Sequence, residues 1–404
     1  MKRIAFVLLT LVLFALGSSA ALAKHKPKGH QTPQMSVFAS GLNNPRGLAF
    51  GPGGKNLFVA EGGLGGTHSS ASDPCPQASG AAAPYFGSTN DPVLGGRISK
   101  IDRHGTVSTV VSALPSSQTA PALGSLVSGV SSVAFLGHQL YALLAGAGCS
   151  HGVPTIPNGV IKVKRNGTWS MIANLSAFQM ANPVASPDED DFEPDGTWFS
   201  MTAADGALYP MDSNHGELDR VTRKGSISRV VDISAQVGHN VPTAIVPVPG
   251  RHGKGHGHHK GHGKGHKKHG HAVTHKRHGS SPSFVIGNLG VFGPPDGTTP
   301  NEHAYLIDGR GHVKVIASGL EQVLGVAFNH GDLYALESST TPGGPTPGTG
   351  AIVRIRHGVP DKTIVSGLVF PTGMTVGRDG AFYVSEQGFG FPAGQGRVIR
   401  VTLH

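Results

Sequence analysis

The chain has 404 residues, including 60 Gly and 29 Pro, with 14% charged and 6% aromatic residues. This composition excludes a coiled coil or helical bundle, in which about half of the residues are Ala, Glu, Lys, Leu or Arg. Disorder of the whole chain is excluded as well, because apolar segments rich in β-branched residues recur up to the last residues. The length fits one large all-β domain.

The formal net charge of +9 comes from two short segments. Of the 33 Lys and Arg residues, five precede residue 30 and eight lie between Arg251 and Arg277, where no acid occurs. The rest of the chain therefore holds 20 Lys and Arg against 24 Asp and Glu. A nucleic-acid-binding protein spreads its basic residues over a folded face, so this distribution argues against nucleic acid as a partner.

The N-terminus has the three parts of a secretory signal peptide. Lys2 and Arg3 form a positive region, an apolar run follows, and Ala21-Leu22-Ala23 is an A-x-A cleavage motif. The apolar run is too short to span a bilayer and no other run is long enough, so no transmembrane segment is expected. Residues 1–23 are predicted to be a signal peptide cleaved near Ala23, and residues 24–36 a polar, basic leader. The mature protein is expected to be secreted, either to the periplasm or to the medium.

A pattern of four short apolar strands then returns six times. The strands are rich in Val, Ile, Phe and Tyr and are separated by Gly and Asp-Gly turns. Six four-stranded sheets in tandem predict an all-β fold, a six-bladed β-propeller over residues 37–404. In chain order the predicted strands are 37–42; 46–50, 57–61, 97–102 and 107–114; 130–135, 140–144, 159–164 and 169–175; 198–203, 208–212, 217–222 and 227–234; 242–248, 284–288, 303–308 and 313–320; 324–328, 333–337, 351–356 and 362–368; 372–376, 382–386 and 397–402.

The order of the strand types predicts how the ring closes. The chain begins with the type of strand that ends a repeat, 37–42, and finishes with the third type, 397–402. The N-terminal strand is therefore expected to complete the last blade, with Val37 to Ala39 antiparallel to Val398 to Val401. One helix is predicted after the second repeat, because Ser176-Ala177-Phe178-Gln179 fits a capping box.

Residues 251–279 interrupt the fourth repeat with Gly, His and Lys, which cannot supply a core, so a disordered insert is predicted. Closely spaced imidazoles bind Cu²⁺, Ni²⁺ or Zn²⁺, and in mild acid they add positive charge that favours an anionic surface. An inert low-complexity segment is the alternative. The candidate metal ligands are His252, His256, His258, His259, His262, His266, His269, His271, His275 and His278.

Several motifs resemble the ScyD/ScyE family of exported bacterial β-propeller proteins. The first repeat holds GLNNPRGLAFGPGG and LFVAEGGLGG, and LPSS, VSGVSSVAF, LSAFQMANP, EPDG and VPTAI follow. Related six-bladed propellers of the NHL and SMP-30 types share part of this motif pattern. The family's Asn-Pro-Tyr is Gly196-Thr197-Trp198 in this chain, and the His-rich insert is not part of the family pattern. The resemblance implies the fold and export, but no defined activity.

The chain has two cysteines, Cys75 and Cys149. In an exported protein an even number favours a disulfide, and there is no C-x-x-C motif that would indicate a redox or metal pair. Both cysteines fall in predicted loops between second and third strands, in adjacent blades, and such loops emerge on the same face. A Cys75–Cys149 disulfide is therefore predicted, with two unpaired thiols as the alternative.

Candidate binding residues lie where second strands end. If the acids there converge on one face, they would bind a cation such as Ca²⁺; otherwise each accepts hydrogen bonds from the backbone of a neighbouring loop. The acids between Asp188 and Asp195 lack the spacing of a calcium hand and are expected to form a solvated loop. The candidates for a ligand site on the loop face are Glu61, Asp212, Asn214, His215, His239, Glu337 and Glu386.

Two functions remain open. The leading hypothesis is a monomeric, non-catalytic protein that binds or scaffolds a small molecule or a protein through its loop faces, and no catalytic residue is assigned. The alternative is an enzyme: an SMP-30-like lactonase, which needs acids around a divalent ion, or a quinone-dependent sugar dehydrogenase, which needs a His base and basic cofactor contacts. Acids or histidines meeting at the channel mouth would favour the enzyme. The predicted channel residues are Arg46, Val130, Trp198, Thr243, Leu324 and Thr372.

Overall fold

The computed structural model describes residues 33–79, 84–119, 127–187, 192–250, 281–290, 302–341 and 345–403. The predicted signal peptide, leader residues 24–32, the His-rich insert with its ten candidate ligands, and the acids at 188–191 lie outside the described residues. Within the described part, strands dominate. No helix of that part is long and apolar enough to cross a membrane.

The described chain contains 28 strands. The first are β1 (Gln34–Leu42), β2 (Pro45–Phe50), β3 (Leu57–Glu61), β4 (His68–Ser69), β5 (Tyr85–Ser88), β6 (Gly96–Ile101), β7 (Val107–Leu114), β8 (Ser116–Thr119) and β9 (Val127–Ser128). The next are β10 (Val130–Leu136), β11 (Gln139–Leu144), β12 (Gly159–Val163), β13 (Trp169–Asn174), β14 (Trp198–Ala204), β15 (Ala207–Asp212), β16 (Glu217–Thr222) and β17 (Ile227–Asp232). The last are β18 (Pro242–Pro247), β19 (Phe284–Asn288), β20 (Ala304–Ile307), β21 (Val313–Ala317), β22 (Val323–Asn329), β23 (Asp332–Glu337), β24 (Gly350–Arg356), β25 (Val359–Leu368), β26 (Gly373–Val376), β27 (Phe382–Glu386) and β28 (Gly396–Thr402). The helices are α1 (Leu175–Ala181) and α2 (Ser234–Val237), with 3-10 turns at Ser70–Ser72 and Cys149–His151.

The described strands form seven four-stranded antiparallel sheets, one more than predicted. Six of them correspond to the predicted repeats and are named sheets I to VI. Their strand orders are β2-β3-β6-β7 (I), β10-β11-β12-β13 (II), β14-β15-β16-β17 (III), β18-β19-β20-β21 (IV), β22-β23-β24-β25 (V) and β26-β27-β28-β1 (VI).

The seventh sheet, named the small sheet, has the strand order β4-β5-β8-β9. Its strands come from the connection between β3 and β6 and from the connection between β7 and β10. They are two to four residues long, and strands such as His68–Ser69 and Ser116–Thr119 contain no apolar residue. The sequence pattern misses this sheet because there is no apolar alternation to detect.

Strand β1 pairs with β28 in the predicted antiparallel ladder. Val37 faces Ile399, and Ala39 faces Val398. The strand begins at Gln34 rather than at Val37, so the end of the predicted leader belongs to the sheet. The Phe38 and Tyr383 rings meet edge to face, with centroids 5.1 Å apart. The first and last strands of the described chain therefore complete one sheet.

The first strands of sheets I to VI surround one axial cavity. Their N-terminal halves line a narrow part of about 80 Å³, and their C-terminal ends line a wider part of about 460 Å³. Because neighbouring strands are antiparallel, the turns from first to second and from third to fourth strands lie at the wide end, named the turn face. The connections between second and third strands, and those between sheets, lie at the opposite end, named the loop face.

The core is divided among the spaces between neighbouring sheets. Six clusters of buried apolar residues occur in the described chain, and each joins two successive sheets. One cluster joins sheet VI to sheet I, where Leu57 of β3 packs with Val398 of β28. Burial of this apolar surface, at about 25 cal/mol per Å², is the main force that holds the sheets together.

The helix predicted after the second repeat is α1, but Asn174 caps it rather than Ser176. The Asn174 side chain accepts a hydrogen bond from the Ala177 N–H at 2.9 Å. Ser176 lies inside the helix, is buried, and donates to the carbonyl of Asp195 at 2.9 Å. The motif therefore identifies the helix, while its serine holds the following loop in place.

Candidate functional site

Two of the predicted acids, Glu61 and Glu386, are buried at the ends of β3 and β27. Each is paired with an arginine of the next strand: Arg97 Nε lies 2.7 Å from Glu61, and Arg397 Nε lies 2.6 Å from Glu386. Each also accepts a backbone N–H from the connection that leads into its sheet. These two acids fasten the connections that lead into their sheets.

Glu337 at the end of β23 is also buried, but its register partner on β24 is Ala351, which offers no charge. Its carboxylate accepts the N–H of Glu321 at 3.0 Å. Burial raises the pKa of Glu337 to about 7, although this hydrogen bond opposes the shift. Like Glu61 and Glu386, Glu337 holds a connection between sheets.

These acids are not brought together. Glu61, Asp212, Glu337 and Glu386 belong to four different sheets, and each is bonded close to its own strand. Among the residues that the structure describes, no three His, Cys, Asp or Glu side chains are grouped so that they could hold a metal ion.

Sheet III differs from sheets I and VI at this position. Asp212 ends β15, and its register partner on β16 is Glu217 rather than an arginine. Asp212 accepts backbone hydrogen bonds from Thr197, Asn214 and His215 at 2.9 to 3.3 Å. The chain turns tightly between β15 and β16, which brings the His215 ring back onto this carboxylate.

His215 and Asp212 form a buried dyad. His215 Nδ1 lies 2.8 Å from Asp212 Oδ2, and neither side chain has exposed surface. The other ring nitrogen, Nε2, has no hydrogen-bond partner among the described residues. Burial lowers the pKa of His215, but the negative charge of Asp212 and its hydrogen bond outweigh burial, so the pKa is raised above the ordinary value.

A second histidine and carboxylate lie beside this dyad. Tyr85 of β5 donates to Glu193 Oε1 at 2.6 Å, and His151 Nε2 lies 3.5 Å from Glu193 Oε2. The Glu193 N–H donates to the side chain of Asn214 at 3.0 Å, which joins the two pairs. Tyr85, His151, Glu193, Asp212, Asn214 and His215 are named the histidine cluster.

The predicted disulfide is formed, and it supports the histidine cluster. Cys75 and Cys149 are bonded with their Cα atoms 6.2 Å apart. Cys149 begins the 3-10 turn that ends with His151. The bridge therefore ties the segment that carries His151 to the connection that forms the small sheet, from which Tyr85 comes. A disulfide is compatible with the predicted export.

Two further carboxylates are buried beside the dyad in sheet III. Glu217 and Asp219 have no exposed surface, and both Asp219 oxygens lack a hydrogen-bond partner among the described residues. Burial, together with the charges of Asp219 and Asp212, raises the pKa of Glu217 to about 8. Burial and Asp212 raise the pKa of Asp219 to about 7, although Arg229 opposes this shift.

His239 is half-buried in the connection between sheets III and IV, whereas the histidine cluster is built from connections of sheets I to III and from the small sheet. Asn214 and His215 are therefore the sequence-predicted residues that join Asp212 on the loop face.

The axial cavity is lined by hydroxyl and apolar side chains. Thr243, Leu324 and Thr372 line its narrow part, as predicted. Val130 and Trp198 instead pack in the core, and Ser131 and Phe199 face the cavity. Ser131, Phe199, Thr243 and Leu324 occupy the same place, the register shift near the start of the first strand, so the prediction was one residue early in sheets II and III.

Arg46 is buried at the narrow end and donates to the carbonyl of Val127. Burial lowers the pKa of Arg46 to about 10. Arg46 therefore joins β2 to the small sheet and is not a free cation in the cavity.

Sequence analysis did not select Tyr85, His151 or Glu193. Glu193 is the first residue of the EPDG motif, and His151 follows Cys149 by two positions. Both residues therefore lie in or beside motifs that the sequence analysis had identified. Tyr85 had no signal, because the small sheet that places it was not predicted.

Comparison with known proteins shows the fold alone. No protein-family model matches the chain, and no curated protein matches its sequence. A putative oxidoreductase (glucose dehydrogenase) of Thermus thermophilus is similar in structure, with a TM-score of 0.51 and 16% identity over 92% of this chain and 100% of that chain. A gluconolactonase of Xanthomonas campestris is similar with a TM-score of 0.50 and 9% identity, covering 92% of this chain and 90% of that chain. The chain has the β-propeller fold of these proteins, and membership of the ScyD/ScyE family stays a prediction.

Proposed function

We propose that the protein is an exported propeller enzyme that hydrolyses sugar lactones by proton transfer at the histidine cluster, with His215 as the general base. The observation that carries this proposal is the Asp212–His215 dyad with a free Nε2. A carboxylate bonded to Nδ1 sets the tautomer and leaves Nε2 to accept a proton, which is what a general base requires.

In the proposed step, His215 Nε2 takes a proton from a water molecule as its oxygen attacks the lactone carbonyl carbon. The bond between the carbonyl carbon and the ring oxygen breaks, and the ring oxygen receives a proton, so the products are those of water addition. Tyr85 and Glu193 lie close enough to bind hydroxyl groups of a sugar. Because His215 has no exposed surface, a substrate reaches it only when the loops around it separate.

The cofactors of related sugar enzymes do not fit the described side chains. A divalent ion needs several carboxylates around one point, and no group of three such ligands occurs among the described residues; Glu61 and Glu386 are each occupied by an arginine and a backbone N–H. A quinone with carboxylate groups needs free cations, whereas Arg46 is buried against a carbonyl. The proposed step therefore uses neither group.

A second candidate is binding without catalysis, in which the loop face holds a small molecule or a protein. The Ser, Thr, Leu and Phe lining of the axial cavity favours it, because this lining offers contacts but no acid or base.

The proposal extends to three parts of the organisation. Sheets I to VI are the blades of a closed six-bladed ring, with the small sheet as an addition on the loop face; the β1–β28 pairing and the apolar cluster between sheets VI and I support this. Residues 1–23 direct export. The insert at 251–279 binds Cu²⁺, Ni²⁺ or Zn²⁺.

The test is hydrolysis of a panel of aldonolactones by the mature protein, followed as acid release above the uncatalysed rate. His215→Asn should lower kcat/KM at least about 100-fold, while His138→Asn, an exposed histidine of the turn face, should not. The wild-type kcat/KM should rise with pH through a pKa above 6.5, as His215 loses its proton. Lactone binding without turnover would favour the second candidate, and equal rates for His215→Asn and wild type would reject the dyad as the base.

A further inference from the structure

Basic residues are concentrated on the turn face. The hairpin turns and the strand residues that flank them carry nine Lys or Arg side chains in the described chain, against five Asp. By contrast, the loop-face connections that the structure describes contain no Lys. The turn-face cations are Lys55, Arg103, Lys164, Arg165, Arg223, Lys224, Arg310, Arg356 and Arg378, and the acids are Asp102, Asp205, Asp308, Asp332 and Asp379.

Most of the turn-face acids are already engaged. Asp102 and Asp308 each accept two backbone N–H groups of their own turns. Asp332 pairs with Arg356, and Asp379 pairs with Arg400. Arg165, Arg223, Arg310 and Arg378 are exposed and form no ion pair with a described residue. The turn face therefore has an excess of uncommitted positive charge.

Two clefts on this face combine these cations with half-buried aromatic side chains. A cleft of about 580 Å³ holds Lys164, Arg165 and Arg223 with Phe58 and Phe135. A second, of about 960 Å³, holds Lys55, Arg103 and Arg378 with Phe38 and Phe50, and its lining also includes Asp102 and Asp379. The same combination of cations and aromatic side chains therefore occurs at two separate places on the face.

We infer that the turn face binds an anionic polysaccharide. Arginine pairs well with carboxylate groups, and aromatic side chains offer apolar surface to sugar rings. The clefts lie between turns and admit an extended chain, whereas a flat membrane would touch only the turn tips. The chain also enters the described structure at this face, where Gln34 pairs with Thr402, directly after a leader that contains Lys24, Lys26 and Lys28. This site is independent of the histidine cluster, which lies on the loop face.

The test measures binding of polygalacturonate to the full mature protein in 150 mM NaCl, with amylose as the uncharged glycan. The variants Arg165→Gln/Arg223→Gln and Lys55→Gln/Arg378→Gln should each weaken binding about 30-fold, which corresponds to the loss of two cations at about 1 kcal/mol each. The matched control is Lys314→Gln/Lys362→Gln, which removes two exposed cations from outer strands outside the clefts. A variant that lacks residues 251–279 should retain most of the binding.

Three results would overturn the inference. The control variant could weaken binding as much as the cleft variants do, which would indicate a diffuse charge effect. Binding could disappear with the insert alone, which would place the site there. Polyphosphate, duplex DNA or phosphatidylglycerol vesicles could bind as tightly as polygalacturonate or more tightly, which would show that sugar rings contribute nothing. Polygalacturonate binding that exceeds polyphosphate binding at equal charge supports the inference.

Discussion

At the end of the second strand, sheets I, III and VI place an acid but give it different partners. In sheets I and VI the residue opposite is Arg97 or Arg397, and a buried ion pair forms. In sheet III the residue opposite Asp212 is Glu217, so two acids face each other. Sheet III therefore differs from sheets I and VI because a histidine, His215, and not an arginine, is the ionisable partner of the acid.

We expect Asp219→Asn to stabilise the protein in mildly alkaline solution. Folding raises the pKa of Asp219 to about 7 and that of Glu217 to about 8. Both pKa values are higher than those of the same groups in an unfolded chain. Between about pH 4 and 8 the folded protein therefore keeps protons on these carboxyl groups that the unfolded chain has already released. The free energy of unfolding should therefore fall through this window, by about 1.4 kcal/mol for each unit by which folding raises a pKa. The Asn side chain does not titrate, so the free energy of unfolding of the variant should fall less over the same pH range.

Urea unfolding at pH 5.5 and 8.5 measures this difference. The control is Asp379→Asn: burial opposes the shift, but Arg400 lowers the pKa of Asp379, so removing this carboxylate should leave the fall above pH 6 unchanged. Parallel pH profiles for wild type and Asp219→Asn would contradict the prediction.

At the level of the element, a run of apolar residues between turns decides what the sequence can predict. Strands such as β11 and β27 were placed to within one residue, because each contains a continuous, buried apolar run and Gly-containing segments bound it. The strands of the small sheet and the short helix α2 were missed. Their backbone hydrogen bonds depend on distant partners, such as the pairing of β5 with β8, and leave no local pattern in the sequence.

Removing β1 should cost more stability than any other change of similar size at the N-terminus. Deletion of residues 24–40 removes most of the ladder with β28 and the Phe38 contact with Tyr383. With about 1 kcal/mol for each lost ladder hydrogen bond, the loss is about 5 kcal/mol, and an edge strand is exposed. Deletion of residues 24–32 is the control, because it ends before the described strand. Thermal melts of the two truncated proteins measure the effect, and equal melting temperatures would count against the role of β1.

Loss of the disulfide should loosen the loop face. The Cys75–Cys149 bridge spans 74 residues, and closing a loop of this length stabilises a folded chain by up to about 4 kcal/mol. Cys75→Ser/Cys149→Ser should lower the melting temperature and increase hydrogen exchange at His151 more than in sheet V. Thiol titration of the unreduced, denatured wild-type protein should find no free thiol. Two free thiols would show that the bridge does not form in solution.

At the level of the whole molecule, the sequence predicted the repeats and the disulfide but not which side chains meet. The histidine cluster joins residues 85, 151, 193 and 212–215, and residue 85 belongs to the small sheet. His215 was recognised because it stands beside Asn214 at a repeat position, whereas His151 and Tyr85 depend on contacts between sheets. The fold can therefore be predicted from local sequence patterns. The candidate site cannot, because it depends on contacts between connections that are distant in the sequence.

The His-rich insert should be separable from the folded protein. It leaves after β18 and returns before β19, where Pro247 and Phe284 are register partners in one ladder, so a short Gly-Ser turn can replace residues 251–279. The entropy of closing a loop changes by only about 0.6 kcal/mol per doubling of its length, so the melting temperature should change little. Calorimetric titration at pH 7.5 should show that the shortened protein has lost most of its Cu²⁺, Ni²⁺ or Zn²⁺ binding. In the intact protein that binding should weaken towards pH 5.5, because protons compete for the imidazoles. Equal metal uptake by the two proteins would locate the metal site in the propeller and would require a group of ligands outside the insert.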